Sequence, residues 1–276
     1  NTAFNIEIST PTGIKYITRR FIPAKLQDNP YLMQTDDYYA MLSSLPEVQR
    51  KQFLNGDWDA FSNAAFSEFD RDVHVVEPFD IPKGWQRFRA ADWGYSSPAC
   101  CLWFAIDYDN NLWVYRELYT QKITADVFAR KVIDLEHGEY IRYGVLDAST
   151  WARRGDVGPS IAETMIQAGC RWRPSDRTPR SRISGKLEIH KRLKVEDKEP
   201  GIRIFSNCRN LLRTFPTLPL DDSNPEDINT HVEDHAYDAL RYGCMSRPMH
   251  TSYANKAFGN SNRTTNFVPS DKIFGY

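Results

Sequence analysis

No apolar run in this 276-residue chain approaches the roughly 20 residues that a membrane-crossing helix needs, which argues against a helical membrane protein. No secretory signal pattern opens it, and it starts at Asn1 rather than Met, so we expect a fragment of something longer. Cysteine is scarce, odd in number and never spaced as C-x-x-C: Cys100 and Cys101 are adjacent, and Cys170, Cys208 and Cys244 are scattered in apolar contexts. That counts against a zinc site and fits small buried hydrophobes in a reducing cytosol. The net charge of -1 excludes a protein that is basic throughout. No G-x-x-x-x-G-K-[ST] loop occurs, so ATP hydrolysis is not assigned to this chain. What the chain does have is 41% apolar and 13% aromatic residues, the composition of a soluble globular protein with a core.

Three carboxylates organise it. Arg89 to Gly94 is an apolar-leaning strand ending in Asp92, and Tyr143 to Ala148 is a second ending in Asp147. Asp238 sits in a helical stretch from Glu233 to Tyr242. Aspartate is a poor strand former and costly to desolvate, so at the C-terminal end of a buried strand it faces a polar crevice. Two strand-end carboxylates and one from a helix suit hard divalent cations, which take oxygen ligands. Each also has a bland reading: Asp92 as a turn former, Asp147 as a helix cap, Asp238 as a solvated helix residue. Asp234 shares a helix face with Asp238, and His235 lies on nearly the same side. Capping accounts for Asp234, whereas Asp238 lies deeper in the helix.

Along the chain, two strands split by the Pro11 to Gly13 turn come first, then helical stretches at Thr35 to Ser43 and Pro46 to Leu54. A connector follows, with a boundary near Asn63. The next three segments, Arg87 to Trp93, Ala99 to Asp107 and Leu112 to Tyr119, read as strands of a meander turned at Asp109-Asn110-Asn111. Thr124 to His137 has helical spacing, with Thr124 as cap and Gly138 as stop. Strands at Tyr140 to Asp147, Cys170 to Pro174 and Gly201 to Ser206 alternate with helices at Pro159 to Gln167 and Ser184 to Lys194. The expected fold is α/β, a mixed sheet flanked by helices. Past Pro248 periodicity is lost, and 248–276 reads as a mobile tail.

The charge average hides a local bias. Between Arg171 and Lys194 nine cations stand against two anions, a net +7. Mixed charge runs are usually solvated helix faces, but this imbalance favours a surface that tracks backbone phosphates. Arg180, Arg182, Lys186, Lys191 and Arg192 are the candidate DNA contacts, Arg180 and Arg182 flanking a Pro-containing loop. Lys186 is placed near a scissile phosphate, its alternative being an exposed helix residue.

The strand order, with Asp at the ends of the first and fourth strands, is similar to the ribonuclease H-like nuclease fold. More specifically, the chain resembles the C-terminal half of the large terminase subunit of tailed bacteriophages. The matching words are Leu26 to Leu32, Phe53 to Asp59, Ala91-Asp92-Trp93-Gly94, Gly144 to Asp147 and Asp234 to Tyr242. The resemblance implies a metal-dependent endonuclease that cuts concatemeric double-stranded DNA during viral genome packaging. Asp92, Asp147 and Asp238 would be catalytic metal ligands, with His235 or Asp234 as a further ligand or supporting group. It further implies Mg2+ or Mn2+, two ions together, and the small terminase subunit and capsid portal as partners. Residues 1–62 would be the end of an ATPase domain and a linker, 63–247 the nuclease domain. The fragment is expected to be a monomer, with the full-length protein forming a ring at the procapsid portal in the cytoplasm of the infected host. Two other readings stay open: a junction resolvase or strand-transfer enzyme on the same fold, and a non-catalytic docking module for DNA or portal.

Overall fold

The computed structural model describes residues 3–10, 13–20, 29, 31, 40–42, 64–153, 158–196, 199–221 and 223–248. Of the expected helices before the boundary, only Ala40 to Leu42 are described, and they are helical. The helix at Pro46 to Leu54, the connector words and the tail beyond Pro248 lie outside the described residues. The opening strands β1 (Ala3–Thr10) and β2 (Gly13–Arg20) pair with each other as an antiparallel hairpin.

The main sheet is built around β5 (Ala99–Ile106), whose eight residues are all buried. A continuous apolar run of this kind belongs to a strand covered on both faces. It pairs antiparallel with β4 (Gln86–Asp92) and with β6 (Leu112–Thr120). The β5 to β6 turn uses Asn110 at φ 66, with the Asp107 carboxylate accepting from the Asp109 and Asn111 amides at 3.0 and 2.8 Å. An asparagine tolerates that left-handed backbone better than a branched residue.

Helix α2 (Ala125–Glu136) follows; the earlier α1 (Arg71–His74) and strand β3 (Val75–Val76) are too short for periodicity to reveal. The stop of α2 comes at His137, which takes the left-handed position at φ 48, one residue before the expected Gly138. Thr124 stands at the N-cap, but its hydroxyl donates to the Asp126 carboxylate instead of capping the helix. The fourth strand, β7 (Gly144–Leu146), is shorter than expected because its lead-in joins β4 only through the Arg142 amide to Arg87 O at 2.9 Å and the Arg89 amide to Tyr143 O at 3.1 Å.

Helix α3 (Ile161–Gln167) opens with a capping box in which Ser160 and Glu163 exchange hydrogen bonds. The chain continues through β8 (Arg173–Pro174), α4 (Ser181–Leu193), the small ladder β9 (Val195–Glu196) with β10 (Glu199–Pro200), β11 (Ile202–Phe205) and α5 (Arg209–Thr214). It closes with α6 (His235–Met245).

The seven-stranded sheet has the order β3-β11-β6-β5-β4-β7-β8. Its pairs are antiparallel in the meander and parallel elsewhere. The five strands from β6 to β8 place the first strand of the meander at the centre, beside the fourth. This is the mixed sheet with flanking helices that the alternation predicts.

Helix α6 lies across β4 and β5. Gly243 makes that approach possible, since a Cβ there would stand 2.3 Å from Phe104. Gly185 does the same between α4 and α6, where a Cβ would meet Arg241 Cγ at 2.4 Å. Ala236, Tyr237, Ala239, Leu240 and Cys244 of this helix are all buried, and burial contributes about 1.5–3 kcal/mol for a large apolar side chain. All five cysteines are buried and free, as small core residues.

Candidate active site

Strands β4 and β7 are parallel neighbours, with Ala91 paired to Leu146. Asp92 and Asp147 each come one residue later, and the Asp147 amide donates to Ala91 O at 3.1 Å. The two carboxylates are therefore brought side by side at the C-terminal ends of adjacent strands, about one strand spacing of 4.8 Å apart in backbone. Gly94 makes the tight exit from β4; a Cβ there would meet Ser97 O at 2.8 Å.

Helix α6 starts over this edge and runs antiparallel to β4, because His235 meets Asp92 and Arg247 meets Gln86. The His235 Nδ1 lies 2.9 Å from Asp92 Oδ2. That hydrogen bond, working against burial, raises the imidazole above its usual value and favours the cation. Burial raises Asp92 more than the His235 hydrogen bond lowers it, and the neighbouring charges of Asp238 and Asp147 push the same way.

Asp234 occupies the N-cap position yet makes no capping hydrogen bond, so the capping role expected of it is not how it is used. It is buried, and burial together with the Asp238 charge lifts its carboxyl to about 6. Asp238, one turn further, is clamped: Arg241 donates to its Oδ1 through Nε at 2.9 Å and Nη2 at 2.8 Å. Arg182 of α4 lies 3.6 Å from the same oxygen. Asp147 keeps Ser149 as its nearest partner and accepts from the Tyr242 hydroxyl at 3.3 Å.

Arg241 and Tyr242 join the site without being among its sequence candidates, although their places three and four positions after Asp238 are a readable helical signal. Four carboxylates, two of them with raised pKa values, and an imidazole form a crowded anionic donor set of the kind a hard divalent cation would relieve. The donor chemistry therefore fits such an ion. The arrangement is not fully assembled, since among the described residues no three His, Cys, Asp or Glu side chains converge as a metal-holding group.

The basic run of α4 divides by face. Lys191 is exposed, and Arg180 is exposed at the N-cap with φ 64. Arg182 is partly exposed and tied to Asp227 at 2.9 Å. Two expected DNA contacts are corrected. Arg192 is fully buried, 3.2 Å from Glu188, and donates to the Gly201 and Arg247 carbonyls, so it is part of the core packing. Lys186 is buried with its ammonium on Pro225 O at 3.1 Å, neither an exposed helix residue nor placed at a phosphate.

Comparison with solved structures decides what this arrangement of elements is. The P22 large terminase nuclease domain superposes with a TM-score of 0.56 at 18% identity, over 67% of this chain and 93% of that one. The fold is that of large terminase nuclease domains. The same fold is found in the large terminase of a thermophilic bacteriophage (TM-score 0.53, 16% identity, 80% of this chain). This chain spans 54% of that protein. It is also found in the large terminase nuclease of thermophilic phage G20c with bound cobalt (TM-score 0.50, 14% identity, 67% of this chain and 97% of that one). No family model and no curated protein matches the sequence. Among the described residues no helix is long and apolar enough to cross a membrane.

Proposed function

We propose that this chain is the nuclease part of a viral DNA-packaging terminase, a metal-dependent endonuclease that hydrolyses phosphodiesters of double-stranded DNA. The observation that carries the reading is the pairing of Asp92 and Asp147 on adjacent strand ends under the first turn of α6, on a terminase nuclease fold. Asp92, Asp147 and Asp238 would hold Mg2+ or Mn2+, two ions together, with Asp234 as the further carboxylate. When bound, such ions acidify a water for attack and offset charge on the departing 3' oxygen. The cobalt bound to the G20c nuclease supports a divalent ion at this fold.

The chain's own residues set the conditions for that chemistry. His235 orients Asp92 through its 2.9 Å hydrogen bond. Tyr242 fixes one oxygen of Asp147 by donating to it as a neutral phenol, its ionisation suppressed chiefly by burial. Arg182 and Arg241 orient Asp238, and the positive end of α6 favours the whole anionic group. Arg180 and Lys191, both exposed, can meet phosphates without reading bases.

In this reading 63–247 is the nuclease domain, following an ATPase end and linker at 1–62. The small terminase subunit and the capsid portal would be its partners in the host cytoplasm. The test is nicking and linearisation of supercoiled plasmid with Mg2+ or Mn2+, beside Asp92→Ala, Asp147→Ala and Asp238→Ala. Cutting by the parent and loss in all three, with circular dichroism unchanged, is the expected result. A parent that cuts only four-way junctions would move the reading to a resolvase, and one that cuts nothing to a docking module.

A further inference from the structure

At the other end of β4 the structure gathers positive charge that no carboxylate among the described residues pairs with. Gln86 Oε1 accepts from Arg142 Nη1 at 2.5 Å and from Arg247 Nη2 at 3.2 Å. Arg247 Nε donates to the Tyr143 hydroxyl at 3.1 Å. The Arg173 guanidinium lies 3.9 Å over the Tyr143 ring, which itself stacks on Phe88 of the core. Three guanidiniums thus surround one glutamine and one tyrosine, and among the described residues no carboxylate pairs with any of them.

Like charges gathered this way repel, neutral acceptors do not cancel that repulsion, and an anion that joined them would relieve it. Arg142 and Arg173 are exposed, and the group borders a cleft of about 840 Å³ whose lining includes Lys83, Gln86, Arg142 and Tyr140. The cleft's carboxylate, Glu139, is already held by Arg87 and Arg116. Tyr140 is 83% exposed on the rim.

We infer that Arg142, Arg173 and Arg247 form a second nucleic-acid contact, a backbone-phosphate site at the N-terminal end of β4, opposite the carboxylates. Planar guanidiniums match phosphate in a forked geometry, and the hydroxyl of the exposed Tyr140 in the same cleft can donate to a phosphate oxygen. An acidic peptide would also satisfy the charge, but the chain that carries these arginines has a nuclease fold, so DNA is favoured. Six residues of strand at about 3.3 Å each put the site roughly 20 Å from Asp92. A duplex touching both ends would be fixed in direction across the sheet, which gives the cutting site a register that base-blind contacts near the carboxylates cannot supply.

The inference deepens the nuclease reading and rests on it for the identity of the ligand. Its test is separable: anisotropy of a labelled short duplex in EDTA across a range of KCl, where cutting is absent by design. For the Arg142→Gln, Arg173→Gln, Arg247→Gln triple variant we expect binding about tenfold weaker or more at low salt. Its log K against log salt slope should be shallower by about 0.9 for each phosphate no longer neutralised. The single variant Arg173→Gln, whose guanidinium makes only a ring contact, should show a third of that slope change even if the triple variant folds poorly.

Lys131→Gln, which removes an exposed cation of α2 outside both sites, should bind as the parent does. If the triple and single variants bind with the parent's slope, the site is overturned whether or not the parent cuts plasmid. If a labelled polyglutamate peptide binds in an arginine-dependent way and the duplex does not, the site belongs to an acidic partner and the inference is also overturned. Arginine-dependent duplex binding by a parent that fails to cut with metal would leave the site standing and remove the nuclease reading.

Discussion

At one end of β4, Asp92 meets Asp147, Asp234 and Asp238; at the other, Gln86 meets Arg142, Arg247 and the stack of Arg173 on Tyr143. The same strand therefore separates a crowd of anions from a crowd of cations, and carboxyl groups at the two ends shift in opposite directions. Asp92 and Asp234 are pushed up by burial and, in both cases, by the Asp238 charge. Glu139, on the cationic side, is held down: burial would raise it, but hydrogen bonds from Arg116 and Tyr115 and the charges of Arg116 and Arg87 outweigh that. The difference teaches that these carboxylates are not interchangeable surface charge. At the C-terminal end Asp238 is clamped by arginines, whereas Asp92 and Asp234 keep raised values in a crowd of carboxylates, the pattern of a functional-site candidate.

The largest effect should come from removing a carboxylate at the crowded end. Asp147→Asn should reduce plasmid cutting by more than the roughly 10–100-fold that losing a supporting partner of a metal ligand costs. Its thermal midpoint should stay near the parent's, because the side chain sits at a strand end with few partners. Undiminished cutting would remove Asp147 from the site. The next largest should appear in stability and not in chemistry. Arg192→Ala would leave Glu188 buried without its cation, at about 3–5 kcal/mol by urea denaturation, whereas Lys191→Ala on the exposed face should be neutral. Equal stabilities for the two variants would contradict the division of α4 into faces. Smaller again is Gly243→Ala, where the added methyl must displace Phe104 at about 1–3 kcal/mol and shift α6 over the strands. Cutting should then fall along with stability, since α6 carries Asp234 and Asp238; an unchanged rate would mean that the helix position does not set the site.

Much of this is legible in residue order. The meander, the fourth strand and the placement of Asp92 and Asp147 follow from apolar runs ending in aspartate, and Asp238 follows from the helical stretch that carries it. The partners of those carboxylates are harder to read. Arg241 is visible from helical spacing, but Arg182 reaches Asp238 from a different helix, and only the close approach allowed by Gly185 brings it there. Arg192 and Lys186 escape a reading by charge because a charge run does not reveal which of its members face inward; an ion pair at i and i+4 can be buried as readily as solvated. The arginines around Tyr143 come from separate segments, so no window of sequence contains them. The short elements α1, β3 and α5 carry too few residues for any period to show.

The smallest effect bears most directly on the contrast between the ends, because it turns on the sign of a shift. Glu139 bridges Arg87 at 2.9 Å and Arg116, and accepts from the Tyr115 hydroxyl at 2.9 Å. Its folded carboxyl lies below the ordinary value of 4.5, so it binds a proton less readily folded than unfolded. The stability it contributes is therefore complete above the unfolded value and is lost as pH falls through the folded one. Glu139→Gln keeps the shape and removes the charge, and should cost about 1–2 kcal/mol near neutral pH. In strong acid, where the parent's carboxyl is itself protonated, the two proteins should converge. Denaturation of both at about pH 7 and again at the lowest pH at which the parent still folds measures the convergence. A gap that widens in acid would reverse the sign and place Glu139 with the crowded carboxylates instead of against them.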